Sequence, residues 1–97
     1  MVEIRQTGEF KEWLLRLRDA KAKARIAARI ARAENGNLGD SKSVGEGVSE
    51  MRIDYGPGYR VYYRLRGNVL VILLCGGDKS TQRSDIRRAH ELARREG

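Results

Sequence analysis

Three strand-like runs separated by very short glycine-containing turns are the feature that most restricts how this chain can fold. The runs cover residues 48–55, 59–66 and 68–75 and are rich in Val, Ile, Leu and Tyr, which suit strands. Gly56-Pro57-Gly58 separates the first two runs, and Gly67-Asn68 separates the last two. Turns of two or three residues join neighbouring antiparallel strands. The sequence therefore predicts a three-stranded antiparallel meander.

Helical patterns lie on both sides of this meander. Thr7 and Asp19 can cap two successive helices, the second running to about Ala33. A short strand is predicted for residues 2–5, and a C-terminal helix from about Thr81. The glycine-rich segment before the meander is predicted to be a loop. This order predicts an α+β fold, in which an N-terminal strand and a two-helix pair pack on an antiparallel sheet, with a short C-terminal helix.

The composition indicates one small soluble domain over residues 1–97. Lys and Arg number 20 against 13 Asp and Glu, a net charge of +7. This excess favours a nucleic acid or an acidic protein segment as partner, and a plain charged surface is the alternative. The chain has no apolar run of roughly 18 residues and no apolar signal region, so a cytoplasmic location without membrane contact is expected. Cys75 and His90 are single, so no intrachain disulfide and no zinc site are expected. No cofactor is predicted.

Alternation of side chains along the strands predicts one apolar and one mixed sheet face. The apolar face, assigned to the N-terminal helices, carries the pairs Tyr55–Tyr59, Ile53–Val61 and Met51–Tyr63, with Leu70, Ile72 and Leu74. The mixed face carries the ion pairs Glu50–Arg64 and Asp54–Arg60, then Arg52 opposite Tyr62, and finally Val71, Leu73 and Cys75. The C-terminal helix or a partner protein must cover the apolar part of the mixed face.

A group of basic and polar side chains is predicted to meet at one end of the mixed face. Arg52 and Arg60 come from neighbouring strands, Lys79 follows the last strand, and Tyr62 stands close to them. Arginine binds phosphate through a bidentate fork and lysine as a point charge, so this group suits an RNA backbone and the charge of a phosphorane. Further candidates for RNA contact, near the start of the last helix or on the same face, are Ser80, Thr81, Gln82, Arg83 and Arg64.

A basic stripe on the second helix is a separate feature, expected to lie away from that group. It consists of Lys21, Arg25, Arg29 and Arg32. A solvated helix face explains the stripe, and contact of Arg25 and Arg29 with RNA, or of the stripe with an acidic partner, is the alternative.

Two stretches resemble a known family. GVSEMRIDYGPGYRVYY and LLCGGDKSTQRSDIRRAHELA closely resemble the addiction-module killer branch of the RelE/ParE toxin superfamily, the HigB-like toxins. The upstream FKEWLLRLRDAKAKARIAARIARAENGNLGDSK looks like the helical half of the same branch. The resemblance implies a RelE-like fold and the toxin half of a type II toxin–antitoxin pair. It implies a cognate helix-turn-helix antitoxin, operator DNA bound only through the antitoxin complex, and the ribosome and mRNA as targets.

The resemblance also implies ribosome-dependent cleavage of mRNA without a metal. It puts Arg60 at the family's Tyr-Arg strand position, Arg52 near the basic position of the preceding strand, and Lys79 near the basic position after the last strand. Two departures stand out, because Ile86 falls near the late Tyr or His position and Asp54 stands where RelE itself has a lysine.

These departures leave the general base unassigned, because an isoleucine cannot transfer a proton. Tyr62 and Asp54 are the candidates, and His90 is predicted to be a surface residue of the last helix. Two other functions stay open. One is a non-enzymatic, ParE-like inhibitor of DNA gyrase, and the other is a degenerate toxin that acts as co-repressor with its antitoxin.

Overall fold

A five-stranded mixed sheet with helices on both faces is the framework of the molecule. The computed structural model describes residues 2–96. The elements are β1 (Glu3–Gln6), α1 (Gly8–Arg16), α2 (Ala20–Glu34), β2 (Ser41–Gly45), β3 (Val48–Ile53), β4 (Tyr59–Arg66), β5 (Leu70–Asp78), a 3-10 turn (Lys79–Thr81) and α3 (Gln82–Arg95). The strands lie in the order β1-β5-β4-β3-β2. The predicted α+β fold is confirmed. Among residues 2–96, every helix is too short or too polar to cross a membrane.

Thr7 and Asp19 cap α1 and α2, as the sequence predicts. The Thr7 hydroxyl accepts a hydrogen bond from the Phe10 backbone N–H at 3.1 Å and donates one to the Leu74 carbonyl at 2.6 Å. The Asp19 carboxylate accepts from the backbone N–H of Lys21 at 2.9 Å. Thr7 therefore both starts α1 and fastens it to the central strand β5.

The prediction of a wholly antiparallel sheet is wrong at β1, which pairs in parallel with β5. Glu3 lies beside Leu70 and Gln6 beside Leu73. A tight turn would force neighbouring strands to be antiparallel, but two helices and three strands separate β1 from β5 in the chain. Nothing local therefore fixes the relative direction of these two strands.

The predicted loop before the meander contains a strand, β2, that pairs antiparallel with β3 on the edge of the sheet. Ser43 lies opposite Ser49. The turn that follows is sharp, because Gly45, Glu46 and Gly47 have φ angles of 92°, 54° and 76°. The glycines allow this conformation and also hide the strand in the sequence, while pairing with β2 satisfies backbone groups of β3.

The predicted pairing of β3 with β4 is wrong by two residues. Ile53 lies opposite Tyr59 and Met51 opposite Val61, because the turn spans residues 54–58 and not 56–58 alone. A shift of two residues preserves the alternation of side chains. The apolar face of this hairpin therefore lies under the N-terminal helices, as predicted.

The faces of β5 are reversed from the prediction over most of the strand. The β4–β5 turn has three residues, with Arg66 opposite Leu70, so the alternation shifts by one. Val71 and Leu73 consequently pack under α1 and α2, and Leu70, Ile72 and Leu74 pack under α3. An irregularity in the pairing brings Cys75 back opposite Tyr62, on the α3 side where it was predicted.

The structure has two apolar cores, one on each face of the sheet. The core under α1 and α2 includes Phe10 and Ile26, and the core under α3 includes Ala89 and Leu92. Of the two covers considered for the second face, the structure shows the C-terminal helix, which packs on Leu70, Ile72, Leu74 and Cys75.

Gly76 and Gly77 are the places where two large groups approach β5 most closely. A Cβ at Gly76 would overlap the Trp13 ring, and a Cβ at Gly77 would overlap the Asp85 carboxylate. These contacts explain why the most apolar strand ends in two glycines: α1 and α3 press on it from opposite sides.

We expect Gly76→Ala to destabilise the protein by about 1–3 kcal/mol, because the Trp13 ring must move to admit the methyl group. Gly8→Ala is the control, since Gly8 starts α1 and a Cβ there meets nothing within 4 Å. The control should be neutral or stabilising by up to about 1 kcal/mol. Urea unfolding measures both, and equal unfolding midpoints for the two variants would contradict the packing argument.

Candidate anion-binding cleft

A polar cleft opens where the β3–β4 turn meets the end of β5. Its volume is about 280 Å³, and it is lined by Asp40, Arg52, Ile53, Asp54, Gly56, Gly58, Arg60 and Lys79. A Cβ placed on Gly58 would lie 3.4 Å from Lys79 Cδ and 3.5 Å from Arg60 Nη1. The three basic residues that the sequence predicts to meet therefore line one cleft, although they come from β3, β4 and the 3-10 turn.

Arg60 is held in place by the turn that precedes it. Its side chain is only 10% exposed, and Nη1 donates to the carbonyls of Gly58 at 3.1 Å and Tyr59 at 3.2 Å. Its Nε is buried and has no hydrogen-bond partner among residues 2–96. A guanidinium fixed by backbone acceptors before any ligand arrives is pre-organised for an anion.

A buried carboxylate lies behind Arg60. The Glu50 side chain is 3% exposed, with Oε1 3.9 Å from Arg60 Nε. The Gln82 amide donates to both oxygens of Glu50, at 3.2 and 2.9 Å. The predicted pair Glu50–Arg64 is therefore wrong, because the register places Val48 opposite Arg64 and leaves Glu50 to face Gln82. Sequence reasoning missed this contact, which joins positions far apart in the chain.

Arg52 lies directly opposite Arg60 in the sheet, so the predicted pair Asp54–Arg60 is also wrong. Like charges directly across two strands repel. Asp40, which was not among the residues predicted for this site, offsets the charge of Arg52, with Oδ1 3.1 Å from Arg52 Nη2. No local pattern could reveal this contact, because a strand and a turn separate the two residues.

Arg29, which was predicted to contact RNA, secures the segment that carries Asp40. Its Nη2 donates to the carbonyls of Leu38 at 3.1 Å and Asp40 at 3.2 Å, and its Nη1 donates to the carbonyl of Arg52. Burial lowers the pKa of its guanidinium, with the nearby charge of Arg32 acting in the same direction. Arg29 therefore ties α2 to β3 at the wall of the cleft.

Tyr62 is not brought into the cleft. Its side chain is fully buried under α3, and its hydroxyl has no hydrogen-bond partner among residues 2–96. Burial, followed by the negative charge of Glu50, raises the pKa of the phenol well above its usual value. A neutral phenol without access to the cleft cannot serve as the general base that the sequence analysis considered.

The polar residues that follow β5 stabilise the chain itself more than they offer a free anion site. The Asp78 carboxylate accepts from the Ser80 hydroxyl and backbone N–H, and these bonds lower the pKa of Asp78. The Thr81 hydroxyl donates to Asp85 Oδ2 at 2.5 Å. The hydroxyls of Ser80 and Thr81, both predicted to contact RNA, therefore already donate to carboxylates of this chain. Arg83 is exposed and is not among the residues that line the cleft.

Two other predicted positions have structural partners elsewhere. Arg64 Nη1 donates to the carbonyl of Ala93 at 3.0 Å and so caps the end of α3, away from the cleft. His90 was predicted to be a surface residue, but its side chain is 17% exposed. Its Nε2 lies 3.0 Å from the carbonyl of Val44 and its Nδ1 lies 3.1 Å from Glu46 Oε2. His90 therefore fastens α3 to the β2–β3 turn.

The basic stripe on α2 lies beside the cleft and not away from it as expected. Arg25, Ala28, Arg29 and Arg32 line a second depression that shares Ile53 and Asp54 with the first. The Arg25 guanidinium lies over the Tyr55 ring, 4.8 Å from its centre. Among residues 2–96 there is no group of three or more His, Cys, Asp or Glu side chains that could hold a metal ion.

The fold and the cleft define a small α+β protein with a pre-organised basic site at one end of its sheet. Residues 12–96 match the profile of the family described as "Phage derived protein Gp49-like (DUF891)". The chain belongs to this family, which is a toxin-like RelE/Gp49 family. It is also 54% identical over 96 residues to an uncharacterized protein of Haemophilus influenzae, a match that covers 99% of this chain and 97% of that relative.

We expect Glu50 and Arg60 to be energetically coupled, because both are buried and each is the other's nearest opposite charge. A double-mutant cycle of Glu50→Ala and Arg60→Ala should give a coupling above about 1 kcal/mol by denaturant unfolding. The exposed pair Glu12–Arg16, at 2.7 Å on α1, is the control and should give less than about 0.5 kcal/mol. A coupling at Glu50–Arg60 no larger than the control would contradict the role given to Glu50.

We expect Cys75 to be unreactive in the folded protein. Burial raises the pKa of its thiol to about 12, so the neutral form prevails at mildly alkaline pH, and the thiolate is the reactive form. The same shift makes stability fall as pH rises above the ordinary thiol pKa of about 8.5. A disulfide reagent should label the urea-unfolded chain far faster than the native chain, and equal rates would refute this expectation.

Proposed function

We propose that this protein is the toxin of a type II toxin–antitoxin pair and that it cleaves mRNA on the ribosome. The observation that carries the proposal is the convergence of Arg52, Arg60 and Lys79 on one cleft, with Arg60 fixed by backbone carbonyls. Membership of the toxin-like family supports the class of protein. We further propose that the protein belongs to the HigB-like branch of the RelE/ParE toxin superfamily.

The proposed reaction is an internal transfer at one phosphodiester. The 2′-hydroxyl attacks the adjacent phosphorus, the bond to the 5′ oxygen breaks, and the products carry a 2′,3′-cyclic phosphate and a 5′-hydroxyl. Negative charge builds on the phosphorane oxygens in the transition state. Arg60 and Lys79 stabilise that charge, and Arg52 holds the backbone.

The proton of the 2′-hydroxyl needs an acceptor, and Asp54 is the residue that fits. Asp54 is exposed on the cleft wall and has no salt bridge among residues 2–96, whereas Asp40 is paired with Arg52. Tyr62 is excluded by its burial. The leaving 5′ oxygen takes its proton from water. The ribosome supplies the alignment of the strand, so one modest base suffices.

The proposed antitoxin is a helix-turn-helix protein that neutralises the cleft with acidic side chains. Such side chains would mimic the contact that Asp40 already makes with Arg52, at 3.1 Å. Operator DNA is bound through this complex, and the cytoplasm is the proposed location.

We expect Lys79→Ala to reduce mRNA cleavage in a translation extract by about 100-fold, because one charge at the phosphorane is lost. Lys79 is exposed, so the fold should be unaffected. Lys11→Ala, an exposed lysine of α1, removes the same charge elsewhere and should leave cleavage unchanged.

Three outcomes would contradict the proposed function. Full cleavage by the Lys79→Ala variant would remove Lys79 from the site. Intact transcripts at doses of wild-type protein that stop growth, together with accumulated gyrase–DNA cleavage complexes, would favour the ParE-like inhibitor. Unchanged growth on expression without the antitoxin would favour a co-repressor.

A further inference from the structure

We propose that the depression beside α2 is a second phosphate site, and that the two clefts together bind one RNA strand several nucleotides long. This inference rests on the proposed function, because it takes the cleft of Arg52, Arg60 and Lys79 as the first site on the strand. It adds a binding site and specifies the substrate as an extended single strand.

Geometric continuity is the first argument. The second depression has a volume of about 280 Å³, similar to the first, and both have Ile53 and Asp54 in their walls. Arg52 and Arg60 lie on the α3 side of the sheet and α2 lies on the other side, so the two depressions adjoin at the end of β3. A strand that passes from one to the other curves around that end.

The state of the basic side chains is the second argument. Arg29, which lines the second depression, donates to three backbone carbonyls and so forms part of its wall. Arg25 and Arg32 are exposed, and among residues 2–96 neither forms a salt bridge with a carboxylate. Two guanidinium groups in one depression are thus available to a ligand, and they suit phosphate oxygens.

The orientation of Arg25 is the third argument. Its guanidinium lies over the Tyr55 ring, and the Tyr55 hydroxyl donates to Asp19 Oδ2 at 3.0 Å. Asp19 is the cap of α2, so this chain of contacts positions Arg25 relative to a rigid element. A guanidinium held in this way presents its outer side as a surface for a phosphate or a stacked base.

Asp54 determines how a strand would lie across both sites. Its exposed carboxylate stands at the shared wall and repels phosphate, so phosphates are held on either side of it. The sugar between those phosphates lies over Asp54, where the carboxylate can accept a hydrogen bond from its 2′-hydroxyl. This placement agrees with Asp54 as the proposed proton acceptor.

The test compares a long and a short ligand under changing salt. Fluorescence anisotropy would measure binding of a labelled RNA octanucleotide, which stays intact because the proposed cleavage requires the ribosome, and of the matching dinucleotide. In the variant Arg25→Gln/Arg32→Gln, we expect the slope of log K against log salt for the octanucleotide to become shallower by about 1.4, at roughly 0.7 per phosphate of a single strand. The dinucleotide, which fills only the first cleft, should keep its affinity.

Lys11→Gln/Arg87→Gln is the matched control, because it removes the same charge from exposed positions on α1 and α3 that line neither cleft. An octanucleotide slope unchanged in Arg25→Gln/Arg32→Gln, with dinucleotide binding intact, overturns this inference and leaves the proposed function standing. An equal loss in the control also overturns it, since general charge would then explain the effect. If the octanucleotide slopes are as expected but the wild-type protein leaves transcripts intact in a translation extract, the two-site RNA binding stands and the proposed nuclease activity is wrong.

Discussion

Burial of β5 on both of its faces is the constraint on which the rest of the structure depends. A strand that is apolar throughout must be covered on each side. The pair α1 and α2 covers one face and α3 covers the other, with Trp13 and Asp85 pressed against Gly76 and Gly77. Because α3 must begin directly after β5 to reach its place, the 3-10 turn brings Lys79 beside the β3–β4 turn. The basic cleft is therefore a consequence of how the apolar strand is covered.

The electrostatics of the cleft follow from two arginines that face each other across β3 and β4. Their repulsion opposes folding, and each is offset by one acid, Asp40 for Arg52 and Glu50 for Arg60. The two acids differ in burial: Glu50 is almost fully enclosed and held by Gln82, whereas the Asp40 side chain is 59% exposed. In the proposed site, an incoming phosphate would therefore replace the carboxylate at Arg52 more readily than the one behind Arg60. Arg60 is the fixed part of the site and Arg52 is the adjustable part.

Charge alone did not distinguish structural from ligand-binding basic residues. Arg29 and Arg64 belong to the same strongly basic sequence as Arg60, yet Arg29 binds carbonyls at the wall of the cleft and Arg64 caps α3. An arginine has several donors on a long side chain, and its partner is decided by which carbonyl lies within reach after folding. Burial and neighbouring residues distinguish the other candidates for the site. Tyr62 is buried and has no access to the cleft, whereas Arg25 lines a depression that shares wall residues with it.

Local signals in the sequence determined the α+β class, the helix caps and the meander, because each depends on residues close in the chain. They also placed Arg52, Arg60 and Lys79 together, because the apolar strand before Lys79 must be covered. The register, the parallel pairing of β1, the hidden strand β2 and the partners of Glu50 and Arg52 were decided by tertiary structure. One extra turn residue reverses the faces of a strand, and contacts between distant residues leave no local pattern. Sequence therefore determined that Arg52, Arg60 and Lys79 lie at one end of the sheet, and packing determined which carboxylates pair with them and which basic side chains stay free.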